Sequence, residues 1–302
     1  MTPGGSGVPP EQTAPAAEAR PAVILVGTPI GNLGDISPRA VEALTGADVI
    51  AAEDTRRTRP MLTALGIPGG GRLVSFHGPH EAELAAKLVA RIVERGERLV
   101  CVTDAGMPGI SDPGERLVTA ALAAGVAVEV VPGPSAALAA LVVSGLPTAR
   151  FVFEGFLPRK GRQRAARLAE LKSEERTVVL FEAPHRLEAT LADLAEVLGP
   201  DRPVAVAREI TKRFETVWRG TLGQATSDER PQARGEQVIV LGPAAPVVRA
   251  EPDDEAIEDA LRAELATGAS TRDAAAVVAN RLGITRRRAY ALANSLRGSA
   301  RP

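Results

Sequence analysis

The sequence predicts an α/β protein, built as two α/β domains followed by a small helical module. Three observations carry this. Short apolar runs rich in β-branched residues end in Gly-rich loops, amphipathic helical stretches alternate with those runs, and beyond a Pro/Ala linker only helical periodicity remains. Ala22 to Val26 (AVILV) reads as a strand buried on both faces, ending at Gly27. Ser37 caps a helix with Pro38 in its first position that runs through Leu44, and Val49 to Ala52 reads as the next strand. Helix Glu81 to Arg95, strand Arg98 to Val102, helix Asp112 to Ala124 and strand Ala127 to Val131 continue the alternation. Buried strands joined by helices imply a mostly parallel sheet covered on both sides, with ligands beyond the carboxyl ends of its strands. That places GTPIGNLGD, TDAGMPGISDPG and PGPSA on one rim.

The pattern breaks at Gly145, Leu146 and Pro147, so the first domain spans 22–147. Strands at Phe151 to Phe156, Arg176 to Glu182, Val204 to Glu209 and Gln237 to Leu241 give a second α/β domain, 148–243. Residues 244–254 form the linker. Helices through Ala266, from Thr271 to Arg281 and, after a turn at Gly283, from Thr285 to Leu296 make a module over 255–298. Residues 1–21, rich in Pro, Gly and Ala, read as a disordered tail with no signal-peptide pattern.

Composition narrows the function classes. At 302 residues, 45% hydrophobic and 24% charged, the chain is long enough for two cores and resembles neither a disordered nor a membrane protein. No apolar run reaches the roughly 18 residues of a membrane span, and the lone Cys101 forms no internal disulfide, which points to the cytoplasm. Aromatics are only 3%, so a nucleic-acid site cannot rest on a platform of stacked rings. The net charge of −1 hides local patches: Arg159, Lys160, Arg162, Arg164 and Arg167 crowd one segment without an acid, and Arg272 to Arg301 holds seven Arg against the single acid Asp273. Three His and one Cys give no ligand set of zinc spacing, so no metal is expected.

The loops carry the chemistry. Gly27, Gly31 and Gly34 do not match the dinucleotide GxGxxG spacing, and no Gly-Lys-Ser/Thr closes a phosphate loop. In Thr103 to Gly114 a strand ends in Asp104, glycines leave room for close approach of a flat ligand, and Asp112 with Pro113 reads as the cap of the next helix. Val130 to Ala137 supplies a stiff, small-residue wall suited to an adenosine or a sulfonium.

Together VGTPIGNLGDIS, AEDTR at Ala52 to Arg56, TDAGMPGISDPG, PGPSA, EGFLPRKGR at Glu154 to Arg162, FEAPHR at Phe181 to Arg186 and AREITK at Ala207 to Lys212 resemble the tetrapyrrole methylase superfamily. More narrowly they are similar to its ribosomal RNA small-subunit methyltransferase I family. The likeness runs from Ala22 to Pro243, and the helical module is similar as well. One departure is FHGPHE at Phe76 to Glu81, where Pro79 and His80 stand in place of the family's His and Asn.

The resemblance implies S-adenosylmethionine-dependent 2′-O-methylation of a cytidine in the decoding region of 16S rRNA, with the 30S subunit as partner, a homodimer, and a donor cleft between the two α/β domains. Gly27, Thr28 and Pro29 would form its floor, Asp104, Ala105, Gly106 and Met107 would wrap the methionine and ribose, Ser135 and Ala136 would line the sulfonium, and Phe156, Leu157, Ala183 and Pro184 would flank the adenine. Glu53, Asp54, Glu209 and Lys212 are the candidates for catalysis, with the choice among them open. Arg56, Arg57, Arg159, Lys160, Arg162, Arg164 and Arg186 are the expected RNA contacts, joined by Arg59. Two other readings share these residues: methylation of a corrinoid or porphyrin carbon, and RNA binding without catalysis.

Overall fold

The computed structural model describes residues 21–78, 80–227, 231–245 and 252–299. The expected tail, apart from Pro21, most of the linker, and Pro79 of the FHGPHE segment lie outside the described residues. Two five-stranded sheets occupy one compact unit ending at Ala244, and the C-terminal helices form a second. Among the described residues no helix is long and apolar enough to cross a membrane.

The first sheet contains β1 (Ala22–Val26), β2 (Val49–Ala52), β3 (Leu73–Ser75), β4 (Arg98–Val102) and β5 (Ala127–Val131), in the order β3-β2-β4-β1-β5. Every pairing is parallel. Alternate residues of β1 serve opposite cores: Ile24 and Val26 pack with Ala40 and Leu44 of α1 (Pro38–Thr45) and Leu62 of α2 (Thr55–Ala64). Val23 packs with Val89 of α3 (Glu81–Arg95) and Leu117 of α4 (Glu115–Ala123). Strands β1, β2 and β4 therefore bury both faces, which is why they read as unbroken apolar runs.

Two expectations fail here for physical reasons. Strand β5 is an edge strand with Val130 52% exposed, because the helix that follows it, α5 (Ala136–Val143), turns away and packs on the second sheet. Ala137, Ala140 and Leu141 of α5 meet Val179, Ala205 and Val240 there, so the second core draws on chain that precedes Gly145. Helix α4 starts at Glu115, not at Asp112. Gly114, at φ +146°, occupies the cap position, its N–H donates to Glu81 Oε1 at 3.0 Å, and Gly109 N–H donates back to Pro113 O at 3.1 Å. The loop is folded on itself, which frees Asp112 from capping.

The second sheet contains β6 (Phe151–Phe156), β7 (Thr177–Glu182), β8 (Pro203–Arg208), β9 (Thr216–Thr221) and β10 (Gln237–Leu241), in the order β6-β7-β10-β8-β9. Only β6 and β7 run parallel; the other three pairings are antiparallel. Helices α6 (Gly161–Lys172), α7 (Leu187–Leu198) and the single turn α8 (Leu222–Ala225) cover the face opposite α5. In the helical module α9 (Asp254–Ala266), α10 (Thr271–Leu282) and α11 (Arg286–Ser299) bury Ile257, Leu261, Ala274, Val278 and Ala293 together. Asp253 and Ser270 cap α9 and α10, and Gly283 ends α10 in the left-handed conformation.

Candidate active site

A parallel sheet aligns all its strand-to-helix loops on one rim, and the order β4-β1 puts the loops after those two strands side by side. They are joined by a reciprocal backbone pair: Thr28 N–H donates to Gly106 O at 2.9 Å and Gly106 N–H to Thr28 O at 3.1 Å. The third loop seats against them. A Cβ on Gly27 would lie 2.6 Å from both Gly133 Cα and Met107 Sδ, so these backbones approach as closely as they do only because two glycines meet. Thr28 is fully buried behind the junction, its hydroxyl donating to Thr103 O at 3.1 Å.

Beyond this junction opens a cavity of about 390 Å³, within the range of small-molecule sites. The rim of the first sheet supplies Ile30, Glu53, Arg57, Asp104 to Met107, Ile110 to Asp112, Ser135 and Ala136; the second sheet supplies Phe156, Phe181 to Pro184 and Glu236 to Val238. Nine expected donor residues thus line one cavity, six from the first sheet and three from the second: Asp104, Ala105, Gly106, Met107, Ser135, Ala136, Phe156, Ala183 and Pro184. Four do not. Gly27 and Thr28 are the buttress behind the wall, Pro29 faces a smaller cavity of about 220 Å³ beside Arg57 and Met61, and Leu157 is buried in the second sheet's core.

Two acceptors in the cavity residues have no donor: Asp104 Oδ1 and Gln237 Oε1 are both buried and unpartnered among the described residues. Their other atoms are committed. Asp104 Oδ2 lies 3.5 Å from Arg57 Nε, and Gln237 Nε2 donates to Gln232 O at 3.1 Å and Arg234 O at 2.6 Å. A buried acceptor left unpaired costs about 1–3 kcal/mol, a cost that a hydroxyl or amino donor reaching these atoms would relieve. Phe156 and Phe181, edge to face with centroids 5.6 Å apart, add an apolar aromatic wall.

The four acid–base candidates are all engaged. Glu53 lines the cavity, and its Oε2 accepts from Asp104 N–H at 3.1 Å. Asp54 caps α2: it accepts from Arg56 N–H at 2.8 Å and from the Arg56 guanidinium at 2.7 Å, and these contacts hold its carboxyl down at about 2. Asp54 is a cap, not a cavity group. Glu209, at φ +50°, accepts from Glu236 N–H at 2.8 Å and from Lys212 Nζ at 3.1 Å, contacts that outweigh its partial burial and lower its pKa. Burial pushes Lys212 down, but hydrogen bonds to Glu236 and Glu209 prevail and keep it charged. Neither Glu209 nor Lys212 lines the cavity. They belong to a clasp in which the Lys212 stem lies over Gly31 and Thr211 Oγ1 donates to Asp35, tying the second sheet to the first loop of the other.

Asp112 is the residue that sequence reasoning assigned elsewhere. Asp112 lines the cavity and does not cap α4, and burial, followed by the charges of Glu53 and Asp104, raises its pKa to about 7. The preceding Ser111 has φ +63°, a left-handed conformation uncommon outside glycine.

Of the expected RNA contacts, Arg56, Arg57, Arg159, Lys160 and Arg162 are exposed, as is Arg59. Two are engaged within the protein. Arg164 is buried between α6 and α7, where it pairs with Asp193 at 2.7 Å and donates to Thr190 Oγ1 and Pro158 O. Arg186 is bound to Glu182 at 3.4 Å and to Leu157 O at 3.1 Å. Arg167, in the same basic run, is held by Glu154 and Glu170.

Residues 22–226 match the family described as Tetrapyrrole (Corrin/Porphyrin) Methylases. The chain is 45% identical over 275 residues to "Ribosomal RNA small subunit methyltransferase I" of Synechocystis sp., covering 90% of this chain and 97% of that protein. It is 50% identical over 224 residues to the Mycobacterium tuberculosis protein of the same name, covering 74% and 78%. The crystal structure of a uroporphyrin-III-C-methyltransferase from Thermus thermophilus superposes with a TM-score of 0.51 at 25% identity, over 73% of this chain and 94% of that one. The junction of three Gly loops and the cavity beyond it thus sit in a protein that belongs to the tetrapyrrole methylase family and, within it, to the ribosomal RNA small subunit methyltransferase I family.

Proposed function

We propose that the chain methylates the ribose 2′-oxygen of a cytidine in the decoding region of 16S rRNA, on the 30S subunit in the cytoplasm and as a homodimer, with S-adenosylmethionine held in the 390 Å³ cavity. The observation that carries the donor assignment is the pair of buried, unpartnered acceptors, Asp104 Oδ1 and Gln237 Oε1, in cavity residues on opposite sheets. An adenosyl amino acid brings the ribose hydroxyls and amines that such acceptors need, and its flat base suits the wall of Phe156, Ala183 and Pro184. When bound, the donor supplies an electrophilic methyl group on sulfonium, whose positive charge is lost on transfer.

The chain's own part is therefore positioning more than clamping. Small backbone at Gly106, Ser135 and Ala136 lets the donor sit close, and holding both reactants in a near-attack arrangement supplies about 7–11 kcal/mol of the barrier. Arg56, Arg57, Arg159, Lys160 and Arg162, all exposed, would neutralise rRNA phosphates and make binding fall steeply with salt. The homodimer is supported by Leu138 and Val142, one turn apart on α5 and 50% and 69% exposed.

Small subunits from a strain lacking this activity, incubated with the protein and methyl-labelled donor, test the proposal. Label at a cytidine 2′-oxygen is the expected result; label at a base nitrogen, or none, defeats it. A parallel reaction on naked 16S rRNA, expected to be slower, tests whether the assembled subunit is the substrate.

A further inference from the structure

Methylation of a hydroxyl releases a proton, and the residues first suspected of receiving it are all bound to other groups of the protein. Resting on the donor and acceptor assigned above, we propose that Asp112 is the catalytic base that takes the proton of the ribose hydroxyl. Five carboxylates line the cavity, and four have partners. Glu53 accepts from Asp104 N–H, Asp104 faces Arg57, and Glu236 is bound by Lys212. Glu182 accepts from Ala183 N–H at 2.8 Å and Thr190 Oγ1 at 2.6 Å and faces Arg186. Asp112 has no hydrogen bond or ion pair among the described residues.

The backbone is arranged to leave it so. An Asp-Pro pair before a helix ordinarily caps that helix, yet here Gly114 takes the cap position and packs so tightly on Gly109 that a Cβ would come within 2.9 Å of Gly109 N. Ser111 adopts a left-handed φ, and Gly155 of β6 stands opposite, where a Cβ would lie 3.1 Å from Ser111 Oγ. Backbone strain of this kind persists only where the surroundings enforce it, and it gathers at functional sites. The charged groups that line the cavity with Asp112 are Glu53 and Asp104 at the ends of β2 and β4, whose charges act on it, Arg57 of α2, and Glu182 and Glu236 from the second sheet. Burial and the two nearest acids put its proton affinity near neutrality, where a general base works best.

In the step, the ribose oxygen forms its bond to the methyl carbon while the carbon–sulfur bond breaks and leaves its electron pair on sulfur. The hydroxyl proton passes to Asp112, which returns it to water after product release. No further reactant is needed.

The test compares Asp112→Asn and Asp112→Glu with the wild type on 30S subunits from pH 6 to 9, with S-adenosylhomocysteine binding measured by calorimetry on each. Asp112→Asn is expected to lower kcat by about 10²–10⁴-fold while leaving affinity for S-adenosylhomocysteine unchanged. Asp112→Glu should recover part of the rate with a displaced pH profile. Stability gives a readout apart from turnover. Because folding raises this carboxyl from 3.8 to about 7, its ionisation penalises the native state increasingly as pH rises between those values, so Asp112→Asn should raise Tm at pH 8 and not at pH 4. Undiminished turnover by Asp112→Asn with the product analogue still bound overturns the proposal. So does a collapse of affinity, which would make Asp112 a donor ligand. Failure of the wild type to bind S-adenosylhomocysteine overturns the donor assignment itself, and the proposal with it.

Discussion

The two sheets of the catalytic unit reach the same cavity by different means. All five strands of the first point one way, so the loops after β1, β4 and β5 arrive at one rim and can touch one another through backbone alone. The second is mostly antiparallel, so its rim combines the ends of β6 and β7 with the start of β10, and it contributes side chains: Phe156, Phe181 and Gln237. On the reading proposed above, the first sheet would fix where the ligand lies and share its polar recognition, and the second would add the aromatic wall and Gln237. The lesson is that damage to the two halves should look different.

The largest effect is expected at the glycine junction. Gly27→Val or Gly133→Val puts a side chain where the nearest backbone atoms are 2.6 to 2.7 Å from its Cβ, and should abolish S-adenosylhomocysteine binding and cost about 1–3 kcal/mol or more in a thermal melt. Gly106→Ala should be milder, since its Cβ would find 3.6 Å of room and only the φ of +85° opposes it. Next come two arginines five letters of the same basic stretch would equate. Arg164→Ala should destabilise the second sheet by about 1–3 kcal/mol by removing a buried guanidinium that donates to Thr190 Oγ1, Asp193 and Pro158 O, and leave RNA affinity alone. Arg162→Ala should do the reverse, reducing the slope of log K against log salt by about 0.7 with no change in Tm.

Smaller still is Phe156→Ala. It removes an edge-to-face contact worth about 0.5–1.5 kcal/mol, and because Phe156 is 54% exposed the loss should appear in donor affinity by calorimetry more than in stability. Equal damage from Phe156→Ala and Gly27→Val would erase the contrast between the halves. The smallest change is expected from Lys212→Met, which keeps a stem over Gly31 but removes the ion pairs to Glu209 and to the exposed Glu236. It should shift stability by less than about 1 kcal/mol, marking the clasp as steric.

Strands β1, β2 and β4 of the first sheet were legible because they are buried on both faces and separated by helices, which leaves runs of apolar letters, whereas β3, three residues long with no buried position, was missed. That the loops of Gly27, Gly106 and Gly133 share one rim follows from the alternation; that they touch follows from the strand order β4-β1-β5. Strand β9, TVWRGT, was not legible: it is an edge with mixed exposure, and its pattern resembles a loop. Arg164 was misread as surface because it sits in a basic run, although its spacing to Leu168 and Leu171 places it on the buried stripe of α6. Asp112 was misread for a different reason. The Asp-Pro pair is an ordinary helix start, and only the three-dimensional contact of Gly109 with Gly114 reveals that the helix begins later.

Cys101 lies in the middle of the first sheet, on β4, wholly enclosed, with its thiol pushed up to about 12 by that enclosure and then by Glu81 and Glu53. It is the sole cysteine in the chain. Cys101 packs beneath α3 and α4, so alkylating reagents can reach sulfur only when that helical layer opens from the first sheet, and the labelling rate clocks this opening while the second sheet stays silent. Nature has left a built-in gauge by which the loosening of the donor-side half can be followed without adding a probe.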